Sequence, residues 1–464
     1  MKRTVLIAKL GLCISLFIFT GNVAFGADNR SPRSTEASAT NQTGEKSSPL
    51  SIPIGAAEFT PGGFLDFTSV YRSKNVGSSI GTSFGSTPFD NTAAGKLGET
   101  RFSAQNSRLS LKVTASRGHE KLTGYVEADF LGALPGNGYV TSNSNSLRMR
   151  LYWVDIQRGK WEILAGQSWS LLTPNRVGLS ALPSDIFYSL NVDTNYQVGL
   201  TWSRDPQFRL VYHANKNWTA GVSLENPQQY VGGAVQLPSS FYSSQLDNNN
   251  LPNTPNLHPD VIGKISFDGH AGRRVAHFEL AGLFRGFRVV TPQLQDSTSH
   301  GYGGSFNANL EVIKNFRFIL TSFLSQGGGR YIFGLGPDVV VRPDGKLSAV
   351  RSASGIGGFE YQVTGSTMLY GYYGGAYFWR NFSLASPGQY CGFGYPGSSS
   401  SANRSIQEVT SGVIRTFWKN PNYGALQLLT QYSYLERSPW APPSGGAAKA
   451  SAHLIYADLR YVLP

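Results

Sequence analysis

Two cysteines, Cys13 and Cys391, are all that this chain of 464 residues carries. Cys13 falls in an N-terminal segment expected to be removed, and the single remaining thiol excludes an internal disulfide framework. Long apolar runs are missing as well. The one candidate, Leu10 to Thr20, is shorter than the ~20 residues that a membrane-spanning helix needs, and Lys9 bounds it. Lys2 and Arg3 before it and Ala24-Phe25-Gly26 after it make residues 1–26 read as a cleaved export signal. Leu12, ahead of Cys13, is too bulky for lipoprotein processing, so no lipid anchor is expected. Charge is scarce, at 15% of residues against 53 glycines and 12% aromatics, a balance that points to one large β-rich unit.

Motifs for chemistry are equally sparse. None of the seven histidines sits in H-E-x-x-H spacing, and no phosphate-binding loop is present, so neither metal nor cofactor is expected. Gly77-Ser78-Ser79-Ile80-Gly81 fits G-x-S-x-G, but it lies in a Gly/Ser-rich stretch without the strand-to-helix setting of a nucleophile elbow. The glycines of "GGGRYIFGLG" (327–336) read as an external loop, Cys391 as incidental, and "LDNNN" as only a weak calcium motif. Loss of the signal takes Lys2, Arg3 and Lys9 with it, leaving 40 − 3 = 37 basic against 28 acidic residues, a formal +9. That charge is not gathered into a patch with interleaved aromatics, which argues against nucleic acid as a partner.

What the chain has in abundance is alternation. Leu109, Leu111, Val113 and Ala115 are interleaved with Arg108, Ser110, Lys112 and Thr114. Leu122, Gly124, Val126, Ala128 and Phe130 then oppose Lys121, Thr123, Glu127 and Asp129, and Leu147, Met149, Leu151 and Trp153 oppose Arg148 and Arg150. A two-residue period means strands with one apolar and one charged face. Sixteen such strands are predicted at 62–72, 105–116, 120–130, 146–156, 160–169, 196–213, 217–226, 259–268, 273–285, 301–312, 316–326, 355–365, 367–380, 405–418, 424–436 and 450–463. Segment 196–213 is taken as one strand broken at Pro206, since a proline interrupts a ladder and a seventeenth strand would invert every later connection.

Connections alternate between short turns, such as 117–119 and 313–315, and long loops, such as 73–104, 170–195 and 227–258. The fold expected is an all-β transmembrane antiparallel barrel over residues 58–464, with short periplasmic turns, long extracellular loops and a flexible polar leader at 27–57. Trp153, Trp161, Trp169, Trp202, Trp218, Trp379 and Trp418, with Tyr370, Tyr372, Tyr432 and Tyr434, are assigned to aromatic girdles at the lipid boundary. A basic residue at the lipid midplane costs about 2–4 kcal/mol, so Arg108, Lys112, Lys121, Glu127, Asp129, Arg148, Arg150, Lys264, His277, Glu279, Glu311 and Arg317 are placed on a water-filled lumen. Taken singly, most of these also fit salt bridges that brace the wall. An outer-membrane location follows, with outer-membrane lipid and lipopolysaccharide as surroundings.

The stretches "RFSAQNSRLSLKV", "GYVEADFLG", "LRMRLYWVDI" and "ILAGQSWSLL", with the late "GALQLLTQYSYLERSPW" and the terminal "ADLRYVLP", resemble the DcaP-like family of outer-membrane porins. The resemblance implies a homotrimer of sixteen-stranded barrels, passive diffusion of small hydrophilic solutes, and an inward-folded third loop that narrows each pore. It also implies traffic in anions, dicarboxylates among them. Residues 27–57 depart from the helical extension of some members, and the chain ends in Tyr461-Val462-Leu463-Pro464 rather than in a terminal aromatic. In this numbering the third loop, 170–195, places Arg176 and Asp185 across from Arg148 and Arg150, and these four with Arg108 and Lys112 are the candidate constriction. The competing reading of a different class is a barrel that carries a surface lipase, protease or adhesin.

Overall fold

The computed structural model describes residues 48–132, 143–182, 191–241, 245–247 and 254–464. The expected signal, most of the polar leader and Asp185 lie outside them. Among the described residues sixteen long strands pair in chain order: β1 Ala57–Arg72, β2 Arg108–Arg117, β3 Glu120–Asp129, β4 Arg148–Arg158, β5 Trp161–Trp169, β6 Arg204–His213, β7 Trp218–Glu225 and β8 Asp260–Ala271. The series continues with β9 Arg274–Val290, β10 Asp296–Ile313, β11 Phe316–Gln326, β12 Arg351–Thr364, β13 Thr367–Phe378, β14 Asn403–Asn420, β15 Gly424–Pro439 and β16 Ala450–Val462. Every pairing is antiparallel, and β1 joins β16 through Phe64↔Val462 to Arg72↔Leu454, so the sheet has no free edge. β1 also pairs with β2 along its first half and with a prolongation, Glu99–Ser103, along its second. Ile52–Ile54, assigned by sequence to the polar leader, pair back onto Ala57–Phe59.

Two differences from the predicted strands have clear causes. In β4 a bulge places Arg150 opposite no residue: Met149 faces Ala128 while Leu151 faces Glu127. One extra residue reverses the faces that follow. Leu151 and Trp153 are therefore buried inside at 0% and 8% exposure, whereas Tyr152, Val154 and Ile156 carry the outer face at 42–43%. The second difference concerns 196–213, where the strand begins only at Arg204 and runs through Pro206, which lies opposite Gln167. β7 stops at Glu225, and the Pro206 carbonyl accepts from Asn226 N at 2.9 Å, so the ring falls where no N–H is needed. Residues 196–203 belong to the third loop.

The girdle is narrower than predicted. Trp161, Trp218 and Trp418 are exposed at the short-turn end and pack on Tyr212, Phe267 and Tyr461, with ring centroids 4.6, 4.8 and 6.0 Å apart. Trp379 and Tyr432 are exposed nearer the loop end. Trp153, Trp169, Trp202, Tyr370 and Tyr372 are instead buried in a core inside the barrel. That core exists because two loops fold inward.

Candidate solute pathway

The third loop, 170–203, crosses the barrel and uses the wall's carboxylates to satisfy its backbone. Leu171 N donates to Glu225 at 2.8 Å, Asn175 N to Glu279 at 3.1 Å, Gly178 N to Asp268 at 3.1 Å and Val198 N to Glu408 at 3.0 Å. Lys264 Nζ donates to the Thr173 carbonyl at 2.8 Å and forms an ion pair with Glu279 at 2.9 Å. A loop inside a barrel has no sheet ladder of its own, and unpaired buried N–H groups are costly, so these acids hold it in place. His277 completes this anchor against Asp268 and Glu279.

Asp193 accepts from Thr82 N at 3.2 Å and from Tyr456 Oη at 3.0 Å, joining the third loop to the first. Burial pushes its carboxyl above the usual aspartate range.

Glycine makes the docking close. A Cβ at Gly374 on β13 would lie 1.9 Å from the Val198 carbonyl oxygen, and one at Gly199, whose φ is +94°, would lie 2.3 Å from the Gly355 carbonyl oxygen. The loop backbone thus lies flat on a wall with no side chain in the way.

A second loop, 327–350, also turns in, contrary to the external position expected for "GGGRYIFGLG". Arg330 meets Asp205 at 3.1 Å and Asp260 at 3.0 Å, Arg285 meets Asp260 at 2.9 Å and Asp338 at 2.8 Å, and Tyr331 Oη donates to Asp260 at 2.9 Å. Burial works against the charge on Arg330, but these acids outweigh it and hold its pKa well above the ordinary arginine value. Trp202 stacks between Trp169 and Phe333, at 5.1 and 5.0 Å, and locks the two loops together.

With both loops in place, the inward faces of β6 to β16 are largely covered. β2 alone among the sixteen barrel strands has no buried residue. Its inward side chains are Arg108, Ser110, Lys112 and Thr114, two cations and no acid, and Lys112 has no ion-pair or hydrogen-bond partner among the described residues. This face lines a solvent-accessible strip of the barrel interior.

The predicted constriction residues separate into three groups. Arg150 is fully buried and braces the wall, with Nε 2.6 Å from Glu127 and Nη1 2.9 Å from Asp129. Arg148 pairs with Asp129 at 2.7 Å yet keeps 37% of its side chain exposed, and Arg108 stands 3.7 Å from Glu127. Arg176 makes a two-pronged pair with Glu360 on β12, at 2.7 and 2.9 Å. Lys264, Glu279 and His277 point inward as expected but meet packed loop instead of water.

Arg204 was not anticipated, because its segment read as the middle of a strand. It adjoins Trp169, 5.5 Å from the ring centroid, and its Nη1 is buried without a hydrogen-bond partner among the described residues. Four arginines, 108, 148, 150 and 204, thus share one region with two acids, Glu127 and Asp129, leaving 4 − 2 = +2.

The serine motif is not arranged for catalysis. Ser79 Oγ donates to Gln105 at 2.7 Å and Ser78 Oγ to the Gly81 carbonyl at 2.7 Å, and neither meets a histidine among the described residues. Cys391 is buried, which pushes its thiol up and away from the reactive thiolate.

A closed sixteen-stranded barrel with an inward third loop is the architecture of a porin. No protein-family model and no curated protein sequence matches the chain. Among solved structures it is similar to the outer membrane channel DcaP of Acinetobacter baumannii, at 17% identity, TM-score 0.65, over 88% of this chain and 98% of that one. It is also similar to the anion-selective porin from Comamonas acidovorans, at 12% identity, TM-score 0.50, over 88% of this chain and all of that one. The likeness to DcaP expected from the sequence is therefore met in the fold.

Proposed function

We propose that the protein is an outer-membrane porin, a passive diffusion channel for small hydrophilic solutes that prefers anions such as carboxylates and works as a homotrimer in lipopolysaccharide-bearing membranes. The observation that supports the preference most directly is the inner face of β2, where Lys112 is half-buried with no ion-pair partner among the described residues and Arg108 beside it keeps 14% of its side chain exposed. The third loop binds Glu225, Asp268, Glu279, Glu360 and Glu408, so these wall acids are engaged while Arg148 and Lys112 stay partly exposed. Fixed cations in a narrow low-dielectric passage raise the local anion concentration and repel cations.

Liposome swelling tests the reading. Vesicles carrying the protein are expected to swell faster in small carboxylates than in size-matched amines, and Lys112→Gln with Arg108→Gln is expected to remove the difference. A sealed barrel that hydrolyses lipid would overturn the channel and favour the enzyme platform.

A further inference from the structure

The outer face of β12, β13 and β14 carries three exposed guanidiniums at its loop end, Arg351, Arg380 and Arg404. Arg351 shares the outward parity of Phe359 and Tyr361, and its carbonyl accepts from Trp379 N at 3.1 Å, so Arg351 and the start of the seventh loop are direct neighbours. Ser405 pairs with Tyr377, and Arg404 stands in the irregularity just beyond. Neighbouring strands lie about 4.8 Å apart, so the three residues fall within roughly 10 Å across the wall.

Two things set this group apart. Three other exposed cations at the loop end are each held by an acid: Arg101 by Glu99 at 2.8 Å, Arg288 by Asp296 at 2.9 Å and Lys449 by Glu436 at 2.7 Å. Arg351, Arg380 and Arg404 have no carboxylate partner among the described residues. The second is an aromatic floor. Arg380 lies 4.3 Å and Arg404 5.8 Å from the ring of Trp440, which contacts Tyr377 at 6.1 Å, and Tyr377 in turn meets exposed Trp379 at 4.6 Å. Trp440 is fixed by its own hydrogen bond to the Phe378 carbonyl at 3.0 Å. Arg380 and Arg404 are thereby pre-ordered without being neutralised.

Tryptophan and tyrosine mark the lipid–water boundary, and the apolar band of the same strands lies just beneath. Three unneutralised cations facing outward at that level need an anion supplied by the membrane, and guanidinium recognises phosphate in a two-pronged fashion. We propose that Arg351, Arg380 and Arg404 bind the phosphate groups of a phosphorylated glycolipid in the outer leaflet, with Trp379 and Trp440 against its sugar and acyl junction. This rests on the outer-membrane placement argued above.

The test is native mass spectrometry of the full-length protein in detergent, titrated with bisphosphorylated lipid A and, in parallel, with its dephosphorylated form and with inorganic phosphate. Wild type is expected to retain the bisphosphorylated lipid and to release the other two. Each arginine contributes about fivefold near an anionic surface, so Arg351→Gln, Arg380→Gln, Arg404→Gln together should weaken retention on the order of 100-fold. Arg380→Gln alone should weaken it about fivefold, and Arg288→Gln, which breaks an acid-held pair, should leave it unchanged. Equal retention of the dephosphorylated lipid, or undiminished retention by the triple variant, overturns the proposal. So does a triple variant that splits an oligomer while retaining lipid, which would make the patch a protein contact. Bilayer conductance recorded on the same samples separates this result from the channel reading: a sealed barrel that still retains lipid contradicts only the latter.

Discussion

Replacement of Gly374 by valine is expected to raise single-channel conductance severalfold while the barrel stays folded. The new Cβ would meet the Val198 carbonyl oxygen at 1.9 Å, far inside the ~3.5–4.0 Å of normal contact. Strand β13 itself tolerates valine, a good strand former, so the strain falls on the loop. Keeping the loop in place would cost about 1–3 kcal/mol of overpacking. Releasing it gives up the Val198–Glu408 hydrogen bond, worth about 0.5–1.5 kcal/mol, and the burial of Val198. The clash is with the loop backbone, which no change of rotamer relieves, so the Val198–Gly199 segment is expected to be pushed off the wall while Trp202 keeps its place between Trp169 and Phe333. Single-channel recordings check this directly. Unchanged conductance with a folded barrel would mean that residues 196–203 do not set the bore.

Arg150→Ala is expected to destabilise the barrel strongly, unlike Arg148→Ala. Arg150 is buried between Glu127 and Asp129, and its removal leaves two acids short of a partner. Breaking a buried pair from one side costs about 3–5 kcal/mol. The lower end applies here, because Arg148 still holds Asp129 and Arg108 stands 3.7 Å from Glu127. Arg148 is partly exposed, so solvent screens its pair and the loss should be under about 1 kcal/mol. Urea titration of the folded barrel, read by its gel mobility without heating, measures both. Equal losses in the two variants would show that the bulge at Arg150 is not a structural joint.

Strands whose outer face meets lipid and whose inner face is polar carry their period openly, and for that reason β2, β3 and β10 to β16 were legible from sequence. The bulge in β4 was hidden because Leu151 and Trp153 continue an apolar alternation as smoothly on the wrong face as on the right one. Loop positions were hidden for a different reason. Tyr196, Val198, Leu200 and Trp202 have the period of a strand, yet they are apolar because they pack against Phe333 and the glycine wall rather than lipid. Arg204 was missed with them. The glycines of 327–336 look like surface loop, whereas the Arg330-Tyr331 pair between them needs Asp205 and Asp260, which are remote in sequence. Lys112 and Arg108 share one face of β2 by parity, and what sequence cannot supply is which inward strand the loops leave open.

The most direct test of the account is the reversal potential of the channel in a planar bilayer under a potassium chloride gradient. Wild type is expected to give the sign of an anion-selective pore, and Arg108→Gln with Lys112→Gln is expected to bring the potential close to zero. A cation-selective wild type, or an anion-selective one whose potential does not move when both cations of β2 are removed, would contradict it.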